Sequence, residues 1–418
     1  MPKSKRRREE SLTDSKFVKP RYDGNSIANV PETAAKILGV QFDRALTNPE
    51  VDNFSDAKHV VLLLLDGLGS MLVESARRNY SIPSYDKVRS SGGGGVCFDI
   101  TSVFPSTTAT AMSSLFTGMT PQEHGVIGYT MYLRELGLIG QMLRFSPLFG
   151  GRSLFDIGLD RQTFLGGPTI HERLSEAGID STVYVPDYIV DSGLSQVTYR
   201  GAYVEPQKSV GDMLVRVRKK LERSKEKSFH IAYHPSPDTL AHSRGPYSEE
   251  YAVEVESIFS MVESQLMRKL DRKVAQGTVL IVTGDHGAVQ IEKEGIVDLS
   301  NHPRLFELLK LPPTGDSRAC IMHSREGKEE EVKEYFEKNL KGLFEVRTSE
   351  WFLENGYFGL GKMRTETLDR IGDIIAVPKS YNVIDNSFTD AKRNPVPGRH
   401  GGLSDEEMNV PCLLTKLA

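Results

Sequence analysis

The sequence predicts an α/β protein: a mostly parallel central sheet sandwiched by helices, carrying an α+β cap insertion. Three apolar runs make the case. Val60 to Leu65 ends in Asp66-Gly67, Thr278 to Thr283 ends in Gly284-Asp285-His286-Gly287, and Phe229 to Tyr233 leads through His234-Pro235-Ser236-Pro237 to Asp238. Continuous apolar strands suit a parallel sheet buried on both faces. Ligands bind open α/β sheets in the crevice beyond the carboxyl ends of the strands, where these runs deliver carboxylates and imidazoles.

The elements follow in order. Residues 1–25 read as a disordered basic tail, with Lys3 to Arg8 either solvated or an electrostatic arm. Ile27 to Pro31 leads into a helix near Ala34 to Leu38, and Ser70 to Arg78 follows the first strand as a helix. Gly92 to Gly95 lacks the Gly-Lys-Ser/Thr ending of a phosphate loop and reads as a turn into a strand from Val96 to Ile100. Ser106 to Phe116 is a helix stopped by Thr117-Gly118. The Gly- and aromatic-rich stretch Gly125 to Gly158 is either a substrate-facing lid or a structured surface connection. Helices are expected from Ile170 to Ala177, Val210 to Lys225 and Tyr247 to Val274. Strand-like and charged helical stretches then alternate, which makes 292–395 the cap and leaves 26–291 plus 396–418 as the catalytic core.

Composition narrows the classes. The 418 residues suffice for a large core and an insertion, and 39% hydrophobic with 26% charged content is that of a soluble globular protein. A net charge of -4 gives no broad basic field, which disfavours nucleic acid. No run approaches a membrane span, and no apolar segment follows the basic start as in a signal peptide. Cys97, Cys320 and Cys412 form no CxxC pair, so a reducing, cytoplasmic compartment is expected. Nothing in the pattern sets an oligomeric state.

The candidate site comprises Asp66, Thr108, Asp238, His242, Asp285, His286 and His400. Asp238 and His242 are four apart, so one helical turn aims both at one point. Asp285-His286 and His400 have glycine neighbours that leave room for close approach. Oxygen and imidazole donors without thiolate suit zinc, manganese or iron-type ions. Thr108 lies at a helix start, where free N–H groups favour an anion and a metal can activate a hydroxyl. Alone it would read as an N-cap. Within the constellation it reads as the nucleophile, and capping falls to Ser106 or Thr107. His124 is assigned to ordering the turn after the helix, while His59, His171, His230, His302 and His323 fit no ligand pattern.

Together, Leu65-Asp66-Gly67, Phe104-Pro105-Ser106-Thr107-Thr108 running on to Thr117-Gly118, Pro121-x-x-His124-Gly125, Pro237-Asp238-x-x-x-His242-x-x-Gly245-Pro246, Gly284-Asp285-His286-Gly287 and Arg399-His400-Gly401 resemble the alkaline phosphatase superfamily. Within it, they resemble the type I phosphodiesterase/nucleotide pyrophosphatase family. The resemblance implies one metal held by Asp66, Thr108, Asp285 and His286 and another by Asp238, His242 and His400, zinc being usual and manganese used by a mutase branch. It implies that Thr108 becomes phosphorylated and that water then releases the product, from a small-molecule phosphate ester or nucleotide-like substrate. Two divalent ions bring +4, three carboxylates -3 and a Thr108 alkoxide -1, a balance that suits a diester monoanion. The formylglycine motif of sulfatases is absent.

The family's usual Asn, three residues after the nucleophile, is Ala111 here. The stretch His400 to Met408 resembles the phosphomutase branch, which prefers monoesters. Arg134 or a basic residue of the insertion would then supply the extra cation. The expectation is therefore a two-metal phosphodiesterase. A phosphomonoesterase or phosphomutase is the alternative enzyme, and a catalytically silent metal-binding protein is the alternative of another class.

Overall fold

The computed structural model of the protein describes residues 17–90, 95–385 and 396–418, so the stretch Lys3 to Arg8 and most of the glycine run lie outside it. The central sheet has seven strands: β1 (His59–Leu65), β2 (Val96–Thr101), β3 (Asp180–Pro186), β4 (Tyr203–Gln207), β5 (Ser228–His234), β6 (Thr278–Thr283) and β7 (Asn409–Lys416). Their spatial order is β2-β7-β6-β1-β5-β3-β4. β1 runs parallel to β5 and β6, and β3 runs parallel to β5 and β4. Only β7 is antiparallel to its neighbours β6 and β2.

The sheet is buried on both faces. Val60, Leu62 and Leu64 point into one core and Val61, Leu63 and Leu65 into the other. Each such side chain stabilises the fold by roughly 1.5–3 kcal/mol, so a charge in the middle of β1 would break both layers. Helices Val30–Ile37, Thr108–Thr117 and Ile170–Glu176 cover the first face; Ser70–Tyr80, Pro83–Arg89, Val210–Arg223 and Glu249–Val262 cover the second.

Three expectations need correction. Residues 17–25, expected as part of a disordered tail, are tied to the core. The Val18 N–H donates to the Leu403 carbonyl at 2.7 Å, and the buried Tyr22 hydroxyl accepts from the Phe104 N–H and donates to the Tyr357 carbonyl. The helix expected from Tyr247 to Val274 is three pieces: Glu249–Val262, a π turn at Glu263–Arg268 that buries Leu266, and Arg272–Gln276, restarted by the Asp271 side chain capping Lys273 and Val274. Apolar periodicity runs across both breaks, which is why the sequence reads as continuous.

The cap sheet is not confined to 292–395. Its seven strands lie in the order Phe344–Thr348, Ile374–Pro378, Ala319–Met322, Thr314–Asp316, Thr130–Leu133, Leu138–Gln141 and Ser146–Pro147. The last three come from the segment read as a lid or a surface connection, and they join the others through the pairing of Gly315 with Thr130. A Cβ on Gly315 would lie 2.2 Å from the Ala319 carbonyl oxygen at φ +86°, so this junction requires glycine. Among the described residues no helix is long and apolar enough to cross a membrane.

Candidate metal centre

The carboxyl ends of β1, β5 and β6 deliver the site. Asp66 directly follows β1, and Asp285-His286 follow β6. Past β5, Asp238 and His242 lie on α2 (Ser236–Arg244), numbered after α1 (Thr108–Thr117), the helix that Thr108 opens. Gly67 lets these loops close: its φ is +71°, and a Cβ there would stand 2.9 Å from Cα of Asp238. The Gly67 N–H donates to Oδ1 of Asp285 at 3.0 Å, and the Asp238 N–H donates to the Asp66 carbonyl at 3.0 Å. His400 follows the short strand Gly398–Arg399, which pairs with Val289–Gln290 just past Asp285-His286.

All seven predicted residues converge, in two trios plus the threonine. In the buried trio, His286 Nε2 lies 3.5 Å from Asp66 Oδ1 and 3.3 Å from Asp285 Oδ2. Thr108 Oγ1 lies 3.1 Å from the same nitrogen. In the more open trio, His242 Nε2 lies 3.3 Å from Asp238 Oδ2 and 3.2 Å from His400 Nε2, and His400 Nε2 lies 3.8 Å from Asp238 Oδ1. The His286 and His400 rings stack with centroids 3.7 Å apart, so the trios share a wall.

The histidines are aimed by the backbone. Nδ1 of His286 faces the Gly287 carbonyl at 2.9 Å, Nδ1 of His242 faces Gly398 at 2.8 Å, and Nδ1 of His400 faces Ser106 at 3.1 Å. Only a protonated nitrogen satisfies a carbonyl, so each Nδ1 carries the hydrogen and each Nε2 presents a lone pair inward. Metal-ligating histidines are held by this arrangement. Two Nε2 lone pairs facing at 3.2 Å cannot bond to each other, and a cation between them resolves the clash.

The carboxylates tell the same story. Asp66 Oδ1, Asp238 Oδ1 and Asp285 Oδ2 are buried with no hydrogen-bond partner, and they are oxygens that converge on the imidazoles. The other oxygens of the two deepest are satisfied: Asp66 Oδ2 accepts from the Tyr233 hydroxyl at 2.5 Å, and Asp285 Oδ1 from the Gly67 and His286 N–H groups. Burial, then the neighbouring Asp285 and Asp238, push the Asp66 carboxyl well above its usual range; burial raises Asp285 to about 7. Burial, then the neighbouring His286 and His242, push the His400 imidazole well below its usual range. Three anions this close call for positive charge among them, and the donor set fits divalent ions.

Thr108 is half-buried at the crevice, while Ser106, Thr107 and Ala109 are buried. The capping expected of Ser106 or Thr107 does not occur. Ser106 Oγ donates to the Gly402 carbonyl at 2.7 Å and Thr107 Oγ1 to Asp316 Oδ2 at 2.9 Å, because the cap and the His400 loop compete for both hydroxyls. The first turn of α1 therefore has no side-chain cap and offers its N–H groups to an anion. Arg134, a candidate extra cation, instead pairs with Asp369 at the surface. His124 holds the turn after α1, facing the Ser114 hydroxyl at 3.0 Å and accepting from the Val126 N–H at 3.1 Å.

Sequence reasoning missed the supports. Tyr233 and Ser102, whose hydroxyl donates to the Asp285 carbonyl at 2.6 Å, steady the buried trio. Behind the His400 loop, Arg318 of the cap makes a two-point pair with Glu407 of α3 (Asp405–Met408), at 2.6 and 2.8 Å, both side chains being 1% exposed or less. These residues carry no spacing signal, because their partners are remote in sequence.

Fold and site together place the protein in the alkaline phosphatase superfamily. It belongs to the type I phosphodiesterase/nucleotide pyrophosphatase family, whose model matches residues 60–403. No curated protein matches it by sequence. Among solved structures it is similar to murine ectonucleotide pyrophosphatase/phosphodiesterase 5, in an inactive form with AMP, at 19% identity over 85% of this chain and 87% of that one, with a TM-score of 0.63. The human counterpart gives the same identity, coverage and TM-score. Phosphonoacetate hydrolase from Sinorhizobium meliloti 1021, in complex with phosphonoacetate, matches at 17% identity over 86% and 90%, with a TM-score of 0.64.

Proposed function

We propose that the protein is a two-metal phosphoric-ester hydrolase, a phosphodiesterase/nucleotide pyrophosphatase, with Thr108 as the nucleophile. The observation that carries this reading is the convergence of three partnerless carboxylate oxygens and three inward Nε2 atoms beside one half-buried hydroxyl. Asp66, Thr108, Asp285 and His286 would hold one ion and Asp238, His242 and His400 the other, with zinc or manganese matching the donors. Bound ions would neutralise the carboxylates and polarise the phosphoryl oxygens.

The chain's own groups do the rest. The N–H groups at the start of α1 bind a nonbridging oxygen, and the Tyr233 hydroxyl keeps Asp66 in place. The Thr108 hydroxyl gives up its proton to solvent and its oxygen forms a bond to phosphorus, as the leaving-group oxygen departs on the far side with its electron pair and takes up a proton. Water then cleaves the phospho-threonine, returning the hydroxyl.

Charge favours a diester: no Lys or Arg flanks Thr108 in the sequence, and Arg134 pairs with Asp369 at the surface. The test is a panel of aryl mono- and diesters, nucleotides and phosphonates, assayed with zinc and manganese separately, on wild type and Thr108→Ala. Diester turnover that vanishes in Thr108→Ala, with the fold intact, is expected. Undiminished turnover in that variant overturns the assignment.

A further inference from the structure

The nucleophile is braced from outside the catalytic core, and the brace is the Thr314–Ala319 hairpin of the cap. Asp316 Oδ2 accepts from the Thr107 hydroxyl, one residue before Thr108, at 2.9 Å. Asp316 Oδ1 accepts from the Ser317 N–H at 2.7 Å and the Ser317 hydroxyl at 3.2 Å, which fixes the carboxylate plane. The same side chain packs against the loop after His400: a Cβ on Gly401 (φ +118°) would lie 3.0 Å from Cβ, Cγ and Oδ1 of Asp316.

The two loops that Asp316 touches are already joined to each other. The Ser106 N–H donates to the Gly401 carbonyl at 3.3 Å, Ser106 Oγ donates to the Gly402 carbonyl, and Nδ1 of His400 faces the Ser106 carbonyl. Two residues further along the hairpin, Arg318 is locked to Glu407, which itself accepts from the Gly402 N–H at 2.8 Å. The cap thus clamps both the Thr108 loop and the His400 loop.

The geometry points to Asp316 as a positioning residue for Thr108, acting through Thr107. Directed at Asp316, the Thr107 hydroxyl oxygen accepts from no N–H of the helix start, which leaves the first-turn N–H groups without a side-chain cap and sets the direction in which the next residue projects. This inference rests on Thr108 being the nucleophile, and it adds that the cap is part of the catalytic geometry rather than only a cover.

Thr107→Val removes the donor while keeping the shape, and Asp316→Asn keeps only one acceptor oxygen where two are used. Each is expected to lower kcat on the preferred ester by on the order of 10–100-fold, the scale of a nucleophile displaced by a fraction of an ångström to an ångström. KM and bound metal stay close to wild type, as befits loss of transition-state rather than ground-state interactions. Thr107→Ser, which retains the donor, restores kcat toward the wild-type value. Amide hydrogen exchange, which needs no turnover, should quicken in residues 105–111 and 399–404 in Thr107→Val. Wild-type kcat and exchange in Thr107→Val, or a Thr107→Ser variant as impaired as Thr107→Val, overturns the brace. If the wild type cleaves no ester, the nucleophile reading fails, and exchange alone still decides whether Asp316 holds the loop.

Discussion

Replacing Glu407 by Gln should destabilise the protein by about 4 kcal/mol, within the roughly 3–5 kcal/mol found when one partner of a buried ion pair is removed. The Glu407 carboxylate accepts from Arg318 Nε and Nη2, from the Gly402 and Ser404 N–H groups and from the Ser404 hydroxyl. Burial raises its pKa, but Arg318 and these donors outweigh burial and hold the carboxyl below its usual range. Glutamine keeps one acceptor oxygen and turns an N–H₂ toward groups that are themselves donors. The Arg318 guanidinium, 1% exposed, then keeps the Ser380 and Asn382 carbonyls at 3.0 and 2.6 Å but loses the carboxylate it is paired with.

Urea unfolding of wild type, Glu407→Gln, Arg318→Met and the double variant would measure this. Each single change should cost a similar amount, and the double variant should cost well under their sum, because the second change removes the charge that the first left unpaired. The slope with urea should stay constant. A Glu407→Gln variant within about 1 kcal/mol of wild type, or strict additivity in the double variant, would refute the reasoning.

Further predictions follow from the same geometry. Dialysis against a chelator should abolish ester turnover, zinc or manganese should restore it, and an ion at about a hundredfold over its Kd should add about 2.7 kcal/mol to stability; full activity after demetallation proven by elemental analysis would contradict the metal reading. Burial lowers the His171 pKa to about 3, so the unfolded chain takes up a proton below its normal value of about 6.5 that the folded protein refuses. Stability from this residue is therefore lost as pH falls. The difference in unfolding free energy between wild type and His171→Gln should drop by about 1.4 kcal/mol per pH unit between pH 6.5 and 4, and a flat difference would show that His171 is protonated in the fold.

Much of this molecule was legible in the chain. The apolar runs that became β1, β5 and β6 lack alternation because both faces are buried, and residue type at their ends announced the candidate ligands Asp66, Asp238, Asp285 and His286. The i,i+4 spacing of Asp238 and His242 needed only the helix that forms there. Local pattern misled where it was continuous across a break, as at the π turn after Val262, and where tertiary partners outbid a local preference, as with the Ser106 and Thr107 hydroxyls.

What the sequence determined by itself, then, is the set of donors and the strands that carry them, since burial and ligand chemistry are written in residue type and period. Only the tertiary structure decided how the donors pair into trios, which imidazole nitrogen faces inward, and that segments 130–147 and 314–378 share one cap sheet. Those choices depend on single carbonyls, such as Gly287, Gly398 and Ser106, and on pairs such as Arg318 with Glu407, brought together across long stretches of chain. Contacts of that kind leave no periodicity, because they are fixed by how layers stack rather than by which residue follows which.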